Sequence, residues 1–338
     1  MEQNERYYRR VIGSIGFGLL IFLLLLDLFG TFISIPLPLL LDWIFSGNEV
    51  GSTVAYQLIY GAGYLFCFML PVAFIKLFIK RGGYLYRPMK SQLRISPLLP
   101  LILFSGIAII FSMAFINSVF MDVIGFNSAF FTVGTETEGE PRSYELVLEF
   151  IVFCLVPGFC EEFLFRGSIL TNCLPFGRGN AIMISALLFG MMHRNPAQIF
   201  YAFAAGILLG IVYERTGSIW NGVILHTLNN FVSVTEGTVL HRVKDELLAY
   251  LYINIGELIL FVLGSISTVI LLYLFHSKRD TRVKGGFFGK TLPASDSYAE
   301  YPILAPRAAK LFMAPSMVIF LSFCVVQVVG LILLSWVT

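Results

Sequence analysis

"IVFCLVPGFCEEFLFRGSIL", residues 151–170, is apolar except at its centre, where Glu161, Glu162 and Arg166 interrupt it. Around it the chain is 57% hydrophobic, 15% aromatic and 13% charged over 338 residues, with a mean hydropathy of +0.82. Ordinary soluble domains carry about 25% charged residues. The stretch therefore belongs to a segment that crosses a lipid bilayer, and its three ionisable residues sit where a lipid-facing helix would carry Leu and Ile. Charge within hydrocarbon is costly, so such residues face a bundle interior, find partners and mark functional sites.

Outward from this stretch, apolar runs long enough to cross the hydrocarbon as helices occur at 11–41, 53–75, 95–121, 143–172, 180–193, 197–213, 218–235, 254–275 and 311–337. The predicted fold is all-α, a polytopic transmembrane helical bundle of about eight or nine spans. Three regions organise it: N-terminal helices over 1–142, a central core over 143–235, and C-terminal helices with a basic linker over 236–338. The first apolar run follows Arg6, Arg9 and Arg10 but is too long for a signal peptide, and it is expected to be retained. Of 23 Lys and Arg residues, all but Arg142, Arg194, Arg242 and Lys244 fall on one side when the N-terminus is cytoplasmic. Positive residues stay inside, so the expected location is an integral membrane protein, in a bacterial cytoplasmic membrane on the resemblance described below. The acidic "GTETEGEP", 134–141, suits an exterior loop, and the basic stretch 276–310 a cytoplasmic linker.

A net charge of +2 gives no footprint for nucleic acid. The five cysteines, Cys67, Cys154, Cys160, Cys173 and Cys324, lack zinc-site or disulfide spacing and read as small buried hydrophobes. Gly206 and Gly210 form a G-x-x-x-G pair suited to close helix contact. Asp27 and Glu257 are intramembrane acids with no evident partner in the sequence.

The central polar residues are brought together by counting from turns. "LPFGRGN", 174–180, is a turn; from its Gly177, Glu161 and His193 lie equally far along two antiparallel helices. From the next turn, at Thr216, His226 and Asn230 lie roughly 15 to 21 Å along a third helix. One carboxylate and two imidazoles are thus predicted at similar depth. Glu162 and Arg166 are four apart in the favourable order for a helical ion pair, which leaves Glu161, turned about 100° away, free to face a cavity. Phe189 shares a face with His193, as His226 does with Asn230. Glutamate as general base for water, helped by His193, with His226 and Asn230 donating to an oxyanion, would hydrolyse an amide. No serine lies in G-x-S-x-G context and no H-E-x-x-H occurs. Glu161, His193 and His226 are also chemically able to hold Zn²⁺ with an open position. A third possibility is a non-catalytic transporter or scaffold in which the cluster relays protons or binds a peptide.

"EEFLFR", "FGMMH" and "HTLNN", in that order, resemble the EExxxR, FxxxH and HxxxN motifs of the CAAX-protease and bacteriocin-processing family of intramembrane endopeptidases, to which Rce1 proteases belong. The resemblance covers about 143–235. It implies a glutamate-dependent protease in which Glu161 and His193 activate water and His226 and Asn230 stabilise the oxyanion, with Arg166 as the motif arginine; the helical spacing adds Glu162, Arg166 and Phe189 as supporting side chains, and the leading reading requires no cofactor. The implied partners are a peptide or membrane-associated protein substrate and the bilayer. Whether that substrate is prenylated, which bond is cut, and the oligomeric state are left open.

Overall fold

A computed structural model describes residues 2–84, 86–89, 93, 95–124, 143–277 and 314–337. The acidic loop 134–141 and the basic stretch 278–310 lie outside the described residues. Among these, every regular element is helical. The protein is an all-α bundle with the composition of an integral membrane protein. Among the described residues, six helices are long and apolar enough to cross a bilayer.

The elements run α1 (Glu2–Ser34), α2 (Pro36–Phe45), α3 (Glu49–Arg81), α4 (Leu99–Val123), α5 (Ser143–Glu149), α6 (Val156–Glu162), α7 (Thr171–Cys173), α8 (Arg178–Met192), α9 (Pro196–Thr216), α10 (Ile219–Arg242), α11 (Glu246–Ser277) and α12 (Pro315–Val337). Two π-helical stretches, Phe150–Leu155 and Phe163–Leu170, join α5 to α6 and α6 to α7. The first predicted span is cut short, because Pro36 starts a separate helix and the long one stops at Ser34. Of the nine predicted spans, those at 143–172, 180–193 and 218–235 are not among the six. The first is a composite of α- and π-turns; α8 has 15 residues, about 22 Å of rise, short of the ~30 Å hydrocarbon layer. These same three segments carry the polar motifs, which lowers their apolar content.

Local chemistry sets the ends. Gly177 (φ +98°) and Gly217 (φ +65°) take the left-handed region at the two predicted turns. Asn195 caps α9 by accepting from the Ala197 N–H at 3.0 Å, with Pro196 at the first helical position.

The central segment around α6, with α8, α9 and α10, is flanked on one side by α1, α3 and α12 and on the other by α4 and α11. The largest buried apolar cluster joins Leu19 and Phe22 of α1, Ile75 of α3, Phe165, Leu188 and Phe320. Gly206 and Gly210 seat α9 on α8: a Cβ on Gly206 would lie 2.9 Å from the Ala186 Cα, and one on Gly210 3.1 Å from Ile182. The loop after α3 is tied to the core where Arg87 N–H donates to the Asn172 side chain at 2.9 Å. All five cysteines are buried free thiols.

Candidate active site

Pro157 opens α6 and has no N–H to give the preceding turn, so the helical ladder is interrupted just before the acidic pair. Wider π-turns lie on both sides of α6. Such turns recur at functional sites because they re-aim side chains without ending the helix. Glu161 and Glu162 are consequently held between two distortions, and both are buried.

Glu162 is the structural centre. Its Oε1 accepts from Arg166 Nη1 at 2.6 Å and from His226 Nδ1 at 3.0 Å. Arg166 is fully buried, donates a second bond to the Gly206 carbonyl at 3.2 Å, and lies with its guanidinium carbon 4.6 Å from the Phe189 ring centroid. One arginine thereby links the acidic helix to α8 and α9. Gly222 of α10 makes room for this pair, since a Cβ there would come within 2.9 Å of Glu162 Oε2. As the i,i+4 spacing predicts, Arg166 bonds Glu162 and leaves Glu161 to other partners.

Glu161 points elsewhere. Its Oε1 accepts from the Tyr64 hydroxyl of α3 at 2.5 Å. Its Oε2 is buried, makes no hydrogen bond among the described residues, and lies 3.7 Å from His226 Nε2, too far for a direct hydrogen bond. Those two atoms are close enough for a single water to reach both.

The imidazoles are fixed by their second nitrogens. His193 ends α8, half-buried, with Nδ1 at 2.9 Å from the Phe189 carbonyl. A carbonyl can only accept, so Nδ1 carries the hydrogen and Nε2 has a lone pair when the ring is neutral. By the same argument His226 Nδ1 donates to the ionised Glu162, and its Nε2 becomes a donor only in the imidazolium form. Both rings stand edge-on to Phe189, with centroids at 5.1 Å for His193 and 5.7 Å for His226. The helix-end position of His193 therefore does not carry it away from the cluster.

Asn230 is less closely joined. Among the described residues its side chain is bonded to Asn229, whose Nδ2 donates at 3.4 Å, and not to any other candidate residue. Its i,i+4 relation to His226 puts it on the same face of α10, with no hydrogen bond between the two among the described residues. Tyr64 is the site residue that sequence reasoning missed. The available signal was Tyr56, Tyr60 and Tyr64 at four-residue spacing, a hydroxyl stripe on one face of an otherwise apolar helix. Asp27 has a partner after all: Arg194 Nη1 donates to its Oδ1 at 2.7 Å. Glu257 lies within electrostatic range of Glu236 of α10.

Glu161 Oε2 and His226 Nε2 make the start of a metal site, but no set of three or more His, Cys, Asp or Glu side chains among the described residues is placed to hold a metal ion. The present arrangement does not fit the three-ligand zinc set.

Residues 143–232 match the family described as Type II CAAX prenyl endopeptidase Rce1-like, which takes in every one of these motif residues. The central segment of the chain is similar to the Rce1-like family. The chain is also 25% identical over 139 residues to the "Putative membrane peptidase YdiL" of Bacillus subtilis (strain 168), a match covering 38% of this chain and 56% of that protein. The chain thus spans about half the length of the curated relative it matches. No solved structure matches. Helices α1 to α4, α11 and α12 lie outside the Rce1-like core, yet α3 supplies Tyr64 to its acidic residue.

Proposed function

We propose that this protein is an intramembrane endopeptidase in which Glu161 activates water for attack on a peptide bond. The observation that carries it is the division of labour between two adjacent glutamates: Glu162 is committed to Arg166 and His226, while Glu161 keeps an uncommitted Oε2 facing His226. Tyr64 holds Oε1, so Oε2 is the atom left to take a proton.

In the proposed step Glu161 Oε2 accepts a proton from water as its oxygen attacks the carbonyl carbon. His193 Nε2, with its lone pair exposed by the Nδ1 bond, accepts a second hydrogen bond from that water and orients it. The carbonyl oxygen gains charge and is met by the Asn230 amide and by His226 Nε2–H in the imidazolium form. Glu161 then returns its proton to the leaving nitrogen. Glu162, Arg166 and Phe189 position the two imidazoles. The substrate is a peptide or membrane-associated protein, with CAAX-type or bacteriocin-type processing as the family precedents. The N-terminus is taken as cytoplasmic on the distribution of basic residues, now without the vote of Arg166, which is buried against Glu162.

The test is cleavage of quenched-fluorescence peptides by wild type and Glu161→Gln in one lipid-nanodisc preparation. Loss of turnover in a folded Glu161→Gln variant is expected; equal cleavage by both removes Glu161 as the base. Activity retained after exhaustive chelation and metal analysis supports the water mechanism, and activity restored only by added Zn²⁺ supports the metal alternative. Absence of cleavage of every candidate favours a transporter or scaffold.

A further inference from the structure

A cavity of about 640 Å³ lies beside the Rce1-like core, bounded by the last turns of α1 from Leu26 to Ser34, by Tyr60 and Tyr64 of α3, and by Arg194. That volume is in the range of sites that take small organic ligands. Two of its walls lead directly to the candidate active site. Tyr64 lines the cavity and its hydroxyl bonds Glu161 Oε1, so the space ends one side chain from the acid. Arg194 is bonded in sequence to His193 and has a left-handed backbone, φ +53°, that a non-glycine residue adopts at some cost. It is held there by Asp27 of α1 and by Gln327 of α12, to which Nη1 donates at 2.7 and 3.1 Å.

The walls also say what would fit. Leu26, Phe29 and Ile33 of α1 and the two tyrosine rings make it mainly apolar and aromatic. The Arg194 charge is matched by Asp27. The wall hydroxyls Thr31 and Ser34 donate back to their own helix, to Asp27 O at 2.9 Å and Gly30 O at 2.7 Å. Little is left to compensate a buried charge, whereas an apolar chain finds matching surface. A Cβ built on Gly30 meets nothing within 4 Å, so this wall is open to added bulk.

We infer that this cavity seats the apolar peptide segment next to the scissile bond, and that α1, outside the family core, selects it. The inference rests on the peptidase reading above. It places substrate choice on the chain's own residues 26–34, while the matched core supplies the chemistry.

The test uses the full chain in nanodiscs with short apolar peptides, each carrying one cysteine, as the probe, and copper–phenanthroline with air as the oxidant that converts two adjacent thiols into a disulfide. In the Glu161→Gln background Thr31→Cys is introduced; the five native thiols are buried and do not compete. Disulfide adducts are expected at Thr31→Cys, suppressed by excess cysteine-free peptide, and absent for Gly256→Cys on α11. In the active protein Gly30→Trp is expected to raise KM on the order of tenfold with kcat little changed, because it fills the seat without touching the acid. Gly256→Trp, whose Cβ also meets nothing within 4 Å, is the control and is expected to leave both constants unchanged. Unaltered KM in Gly30→Trp with no peptide adduct overturns the inference, as does an adduct with thiol-bearing lipid and none with peptide. In those cases cleavage that still depends on Glu161 leaves the peptidase reading standing; equal cleavage by wild type and Glu161→Gln refutes that reading instead.

Discussion

Removing one partner of the Glu162–Arg166 pair tests the core of the site energetically. Both side chains are fully buried and their contact is 2.6 Å. Arg166→Met leaves Glu162 with only the His226 donor, and Glu162→Met leaves Arg166 with only the Gly206 carbonyl. Each single change strands a desolvated charge, which costs about 3–5 kcal/mol. Independent effects would therefore add to roughly 6–10 kcal/mol. The double substitution strands no charge. It leaves the His226 Nδ1 hydrogen without an acceptor, a loss of about 1–3 kcal/mol, and otherwise replaces the pair by side chains of comparable bulk. The expected outcome is a double variant more stable than either single one, with a coupling energy of at least about 3 kcal/mol. Reversible unfolding in mixed micelles, titrated with SDS, measures all four corners of the cycle. A coupling energy under about 1 kcal/mol would refute the claim that this pair is a charge-matched unit. The double variant should remain inactive even when folded, since His226 has lost the group that orients it.

Three further changes probe separate links. Tyr64→Phe removes a hydrogen bond to a charged acceptor, worth about 1.5–3 kcal/mol, and should lower kcat/KM by roughly tenfold to a hundredfold with the fold intact; an unchanged rate in steady-state assays would show that Tyr64 does not position Glu161. Asn230→Ala should reduce kcat by about a hundredfold while KM stays near wild type, as expected for an oxyanion donor, and a change confined to KM would assign Asn230 to binding. Gly206→Val puts side-chain bulk where a Cβ is already 2.9 Å from Ala186 Cα, so thermal unfolding should show a loss of about 1–3 kcal/mol from overpacking; wild-type stability would mean that α8 and α9 can separate freely.

Much of the site was legible because its signals are local. Glu162 with Arg166 and Phe189 with His193 follow from 3.6-residue periodicity, and the turns at Gly177 and Gly217 follow from glycine's access to positive φ. Composition was enough for the membrane class, because 13% charged residues spread over so many long apolar runs leave too little polar surface for an ordinary soluble domain. Span counting was less secure: the segments holding the polar motifs are the ones that depart from long apolar helices.

What only the tertiary structure decided concerns partners distant in the chain. Nothing local joins Tyr64 to Glu161 across 97 residues, or Arg194 to Asp27 across 167. The spacing of His226 and Asn230 suggested a working pair, whereas packing of α10 on the acidic helix turned His226 Nδ1 to Glu162 and left Asn230 beside Asn229. Helical periodicity specifies which side chains share a face, but the neighbour that meets that face depends on close packing among helices. In a low-dielectric interior each buried charge must then find its compensating group wherever that packing brings one.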